Sequence, residues 1–157
     1  LLLKEQKLEL SDKIIINAST KIVYVALNDP QILQECIPGC EELIKHSDTE
    51  LEAKVVLKVG PVKARFRGNV TLDNSGAPYK FSLTGVGNGG VAGFAKGGAD
   101  VVLSDVDGKT MLTYTAKAEI GGKIAQLGSR LMVSTAKKLA GKFFTRFAEM
   151  VDQKEAL

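Results

Sequence analysis

The sequence predicts an α+β fold: a curved antiparallel sheet of seven strands wrapped around a long C-terminal helix, with two short helices after the first strand. Three observations carry this. Apolar residues recur at every second position through the middle of the chain and every three to four positions towards its end, and the breaks between strands are short and turn-forming. The 157 residues suit a single domain, 1–157, and 45% hydrophobic with 25% charged residues is the balance of a chain that buries a core.

Residues 7–16 read as the first strand, with Leu8, Leu10, Ile14 and Ile16 on one parity. Ser19 is the N-cap of a short helix reaching about Asn28, in which Ile22, Val23, Ala26 and Leu27 keep helical spacing. Asp29-Pro30 then supplies a cap and a first-turn proline for a second helix through about Cys36. From Glu41 the period becomes two, giving strands at roughly 41–47, 50–59, 62–72, 79–88, 93–104 and 110–120. Their inward parity holds Val, Leu, Phe, Ala, Gly and two tyrosines, Tyr79 and Tyr114, either core residues or partners for one ligand carbonyl or hydroxyl. The last periodic stretch, 123–150, puts Ile124, Leu127, Leu131, Thr135, Leu139, Phe143 and Phe147 on one stripe, with Lys137, Lys138, Lys142 and Arg146 mostly off it. A helix that long spans roughly 40 Å.

In an antiparallel meander, successive connections alternate between the two ends of the sheet. Ser47-Asp48-Thr49, the turn at 73–76 and the turn at 105–108 share one end and are polar hairpin material. The other end gathers Ile37-Pro38-Gly39-Cys40, Val59-Gly60-Pro61-Val62, GGVAGFAKGG from Gly89 and GGKIAQLG from Gly121. Ile37, Val91, Phe94, Ile124 and Leu127 are apolar where loops are ordinarily polar, and Lys58, Lys63, Lys96 and Lys123 fall nearby. An apolar rim ringed by lysines suits a cavity mouth that meets a lipid, a membrane surface or a partner protein. The alternative is that the glycines only turn the chain and the apolar residues cap the core. Gly128, within the helical pattern, marks either close approach of a ligand or loop, or a loosely wound helix start.

Several classes of function are set aside. A net charge of +3 without a dense basic stripe argues against nucleic acid. His46 sits in turn material, away from any base or nucleophile pattern, so no catalytic residue is expected. Cys36, Cys40 and His46 make three soft ligands where a tetrahedral metal site needs four, so no metal is expected, and two buried free thiols fit a reducing cytoplasm. GGVAGFAKGG has neither phosphate-loop nor dinucleotide spacing, so no cofactor is expected. No apolar run approaches a membrane span. An apolar ligand does fit: burying about 300 Å² of apolar surface gives roughly 7 kcal/mol before association costs.

The order of elements resembles the helix-grip fold of the START-related, birch-allergen-like (SRPBCC) superfamily. More narrowly, LNDPQILQECIPGCEEL (27–43), KVGPVKARFRG (58–68), GGVAGFAKGGA (89–99) and GGKIAQLGSRL (121–131) resemble the CoxG family, the G-subunit of carbon monoxide dehydrogenase, over about residues 8–151. The resemblance implies an accessory protein of a molybdenum-containing hydroxylase, recruiting it to the cytoplasmic membrane and handling a lipid-soluble electron acceptor such as a quinone. Many members carry an apolar C-terminal anchor. This chain ends at Leu157 after Asp152, Gln153, Lys154 and Glu155, so as given no anchor of its own is expected, and the expected place is the cytoplasm, peripheral at most to the inner face of the membrane.

The expected protein is therefore non-catalytic and cytoplasmic and binds a hydrophobic small molecule or lipid, with a quinone favoured. Ile37, Phe66, Phe81, Leu83, Val91, Phe94, Tyr114, Ile124, Leu127, Gly128 and Leu131 are expected to form cavity and rim, and Lys58, Lys63, Lys96 and Lys123 to meet a membrane or partner. Two other readings stand beside it. A cyclase- or hydratase-type enzyme on the same fold requires a titratable side chain facing the cavity. A pure assembly factor without a small-molecule ligand requires a solid interior.

Overall fold

Local chemistry starts the first helices where the sequence places them. The computed structural model describes residues 5–152; the opening leucines and the tail from Gln153 to Leu157 lie outside the described residues. Strand β1 (Gln6–Ile16) leads to Ser19, whose side chain accepts from the Ile22 N–H at 3.4 Å and opens helix α1 (Thr20–Leu27). Asp29 repeats the device for α2 (Pro30–Cys36): its carboxylate accepts from the Gln31 N–H at 2.9 Å, and Pro30 takes the first helical position, where an N–H has no intrahelical partner.

Six strands follow: β2 (Cys40–Lys45), β3 (Glu50–Val59), β4 (Val62–Asp73), β5 (Lys80–Asn88), β6 (Phe94–Val106) and β7 (Lys109–Gly121). With β1 they form one antiparallel sheet in the order β1-β7-β6-β5-β4-β3-β2. Helix α3 (Ser129–Val151) has 23 residues, about 35 Å of rise. It starts later than its periodicity suggests. Residues Ile124–Leu127 form a 3-10 turn, and Gly128 follows at φ 100° and ψ 156°, a conformation essentially confined to glycine. The apolar spacing runs through the break because Ile124, Leu127 and Leu131 all join one cluster. No protein atom beyond its chain neighbours lies within 4 Å of where a Gly128 Cβ would stand, so this glycine serves the bend and not the close approach of a neighbouring loop.

The sheet has to curl. Residues 137–142 of α3 border β3 on one flank and β1 on the other. Those strands are five places apart in the sheet, about 24 Å if it were flat, against a helix about 10–12 Å across. This is the helix-grip arrangement.

Side-chain size falls along the concave face. The row Phe81–Val101–Tyr114 joins Ile16, Val23, Leu103, Leu112 and Phe147 in the main core. The next row, Leu72–Leu83–Ala99–Ala116–Leu10, is smaller. Val70–Gly85–Gly97–Ala118–Leu8 and Gly68–Gly87–Ala95–Ile120 are smaller again. Leu103 and Leu112 are fully buried, whereas Gly68, Gly85, Gly87, Ala99, Ala116 and Ala118 keep partial exposure on the same face. The core is filled at the polar end and thin towards the glycine-rich end.

The polar hairpins do more than turn. The Thr20 hydroxyl donates to Asp105 Oδ1 at 2.6 Å, and the fully buried Thr110 hydroxyl donates to the Ala18 carbonyl at 2.7 Å. These bonds fasten the start of α1 to the β6–β7 hairpin.

Candidate functional site

The glycine-rich connections do gather at one end. Gly93 abuts Gly121, Gly122 and Ile124, and Gly60 faces the side chains of Leu127 and Leu131. Of the residues predicted for cavity and rim, Phe66, Ile124, Leu127 and Leu131 meet here with Val59 and Met132 in an apolar cluster. Val91 stands outside it with 93% of its surface exposed. Phe94, 37% exposed, lays its ring over Gly121, where a Cβ would collide with it.

Other predicted residues lie elsewhere. Phe81 packs edge-on against Tyr24 of α1 at 5.7 Å, and Tyr114 stacks on Phe144 at 5.3 Å, both in the main core. Register decides this: their row lies nearer the polar hairpins than the glycine-rich turns. Tyr79, inward by parity, is instead half exposed. The strand begins only at Lys80, and the Tyr79 hydroxyl donates to Asp105 Oδ2 at 3.3 Å. Leu83 and Ile37 flank a second cluster of Leu33, Leu51 and Leu72.

The lysines divide in the same way. Lys58 and Lys63 face each other across the Gly60-Pro61 turn, and with Lys123 they are exposed and have no acidic partner within 4 Å among the described residues. Lys96 lies inside β6 on the convex face and pairs with Glu119 at 3.4 Å. There it borders a depression of about 790 Å³ over Gly97 and Gly98, not the rim at the glycine-rich turns.

Open space adjoins both flanks of α3. A groove of about 580 Å³ separates it from β3, lined by Pro38, Gly39, Val56, Leu57, Lys58, Gly60, Leu131, Ser134, Thr135, Lys138, Leu139 and Lys142. A smaller one, about 410 Å³, lies towards β1 beside Leu10, Asp12, Ile14, Tyr114, Lys137 and Phe144. Lys138, Leu139 and Lys142 line this groove but are absent from the predicted site, although the sequence displays both their helical spacing and their place on or beside the apolar stripe.

Titratable chemistry is sparse on the concave face. Two carboxylates share the inward parity after all: Asp12, exposed on the edge strand, and Asp105, exposed at the polar end and bonded to Thr20. Burial pushes the Tyr114 phenol above its ordinary value, and the charge of Asp12 adds to the shift. Burial likewise raises both thiols. Cys36 contacts the Met150 sulfur at 3.6 Å, and Cys40 donates to the Glu42 carbonyl at 3.4 Å. A thiol held protonated is a poor nucleophile and a poor metal ligand. His46 meets Glu52 at 3.0 Å on the surface. No group of three His, Cys, Asp or Glu side chains lies together among the described residues, and no described helix is long and apolar enough to cross a membrane.

The sequence profile of the carbon monoxide dehydrogenase G-subunit (CoxG) family matches residues 13–152. The chain belongs to that family. No curated protein is a significant match to this CoxG relative. Among solved structures, a conserved protein from Geobacillus kaustophilus superposes with a TM-score of 0.86 at 30% identity, covering 93% of this chain and 96% of that one. A START superfamily protein from Mycobacterium smegmatis gives 0.70 at 12% identity, over 92% of this chain and 97% of that one. A Streptomyces aromatase/cyclase gives 0.66 at 6% identity, over 95% and 96%. At such identities the last two establish the shared fold alone.

Proposed function

We propose that this CoxG family member is a non-catalytic accessory protein. It binds a hydrophobic ligand, quinone-like or another lipid, beneath and beside α3, and assists a molybdenum hydroxylase of the carbon monoxide dehydrogenase type at the inner face of the cytoplasmic membrane. The observation that carries the reading is the stand-off between α3 and β3, which leaves half-exposed Leu57, Leu131 and Leu139 along an open groove. The thin rows of glycine and alanine beneath the helix support it, since a solid core would fill them with larger side chains. The absence of an acid or base in the central inward rows, Tyr114 apart, supports a binding role over catalysis. The family's name supports the partner.

Charge supports contact with an anionic leaflet. Residues 53–72 carry Lys54, Lys58, Lys63, Arg65 and Arg67 and no acid; residues 120–148 carry six cations and no acid. The Val91 tip stands between these stretches at the glycine-rich end, while Asp48, Asp73, Asp105 and Asp107 lie in or beside the opposite turns. Native mass spectrometry of the protein purified from its own host, followed by lipid extraction, tests the reading. A bound lipid of defined mass is the expected result. Copurification with a hydroxylase but without any lipid overturns the ligand and leaves an assembly factor.

A further inference from the structure

We infer that the α3–β3 groove selects a single-chain anionic amphiphile, a long-chain carboxylate, by holding its charged head at lysines and its chain against leucines. The inference rests on the proposed hydrophobic-ligand function and, of its two ligand classes, takes the lipid and not the neutral quinone for this groove.

Three features of the groove carry it. The first is shape. Leu131 and Lys142 are eleven residues apart on α3, so the groove follows the helix for about 16 Å, and its volume of about 580 Å³ falls in the usual range of about 300–1,000 Å³ for small-molecule sites. A long narrow seam suits one chain better than a compact ring system.

The second is the apolar lining. Leu57 on the sheet side and Leu131 and Leu139 on the helix side border the space and are only partly buried by protein. A hydrocarbon chain laid there removes them from water.

The third is charge. Lys58 lines the sheet side, and Lys138 and Lys142 line the helix side one turn apart. None of the three has an acidic partner within 4 Å among the described residues. Like charges at that helical spacing repel, and Glu149 is the one acid in the whole of α3. A lysine pair placed for stability would have a glutamate one turn earlier; here Ser134 stands four residues before Lys138. The cations are left without an acidic partner among the described residues, and an anion desolvated beside leucines needs such partners. A neutral ligand of the same length would leave the repulsion uncompensated.

Displacement of a fluorescent polyene fatty acid tests this, using sodium oleate and its neutral counterpart oleyl alcohol below their aggregation limits, with thermal melts as the folding control. Oleate is expected to bind at least tenfold more tightly than the alcohol. The double substitution Lys138→Gln/Lys142→Gln should weaken oleate at least fivefold and leave the alcohol unchanged, with the melt unaltered. Leu139→Asp should weaken both. Equal binding of acid and alcohol, or indifference of oleate to the lysine substitutions, overturns the anionic preference while the hydrophobic-ligand reading stands. If neither compound binds, both are overturned.

Discussion

On the proposed membrane contact, replacing the three lysines at the glycine-rich end that have no acidic partner among the described residues, Lys58→Gln/Lys63→Gln/Lys123→Gln, should weaken binding to anionic membranes. A lysine close to an anionic leaflet contributes about 1 kcal/mol, so the three together contribute about 3 kcal/mol, roughly a hundredfold in partitioning. Val91 adds a second component. It is 93% exposed, and burying a valine side chain is worth about 1.5 kcal/mol, so Val91→Asp should lower partitioning roughly tenfold. Salt separates the two contributions. The screening length falls from about 10 Å at 0.1 M to about 3 Å at 1 M, so the lysine contribution fades while that of Val91 persists.

Cosedimentation with phosphatidylglycerol–phosphatidylcholine vesicles, against phosphatidylcholine alone, provides the measurement. All three lysines are exposed and unpaired among the described residues, so their replacement should leave stability within about 0.5 kcal/mol, which a melt verifies. Equal binding to charged and neutral vesicles, or a triple variant that sediments like the parent, refutes the argument from charge.

Two further outcomes follow from the core. Phe147→Ala removes a fully buried ring stacked on Phe143 at 5.9 Å, so stability should fall by about 3–5 kcal/mol and the melting midpoint by roughly 6–20 °C in calorimetry; a shift under 3 °C contradicts the assigned packing. Burial raises the thiol pKa of Cys36 and Cys40, so both stay protonated at neutral pH, and the stability owed to the neutral form is present below the ordinary thiol range and lost as pH rises through the folded values. Alkylation by iodoacetamide, followed by mass spectrometry, should be slow at pH 7.5 and accelerate only above pH 9; rapid labelling at pH 7.5 contradicts this.

The strands are legible in the sequence because each central strand has one covered face and one wet face. Lys63, Arg65 and Arg67 alternate with Ala64, Phe66 and Gly68, and such alternation survives almost any tertiary context. The caps at Ser19 and Asp29 are local chemistry and are equally plain. What periodicity does not convey is position along a strand. Phe81 and Leu83 share a parity, yet Phe81 lies under α1 while Leu83 borders another cluster. Parity says which face a residue occupies; register and the helix path decide which neighbour it meets. For the same reason parity alone groups Tyr114 with Leu127 in one cavity, although they lie in different clusters.

The division of labour along the sheet separates a tightly packed anchor from thinner rows that border open grooves. Ile16, Leu103, Leu112 and Phe147 are essentially sealed from water at the polar end, where Thr20, Thr110 and Asp105 also tie α1 to the sheet. That end holds α3 by its C-terminal turns, through Phe143, Phe147 and Val151. The N-terminal turn is held too, by Met132 and Leu131 against Val59, so the open groove beside β3 runs along the middle of the helix, from Leu131 to Lys142. Enlarging the glycine and alanine rows should close the space without touching the anchor: Ala118→Leu, for example, adds bulk to the concave face beside Leu8 and Gly97. If the hollow is the ligand site, this variant should keep its melting midpoint within a few degrees while losing lipid uptake; retained uptake would place the ligand outside the grip of the sheet.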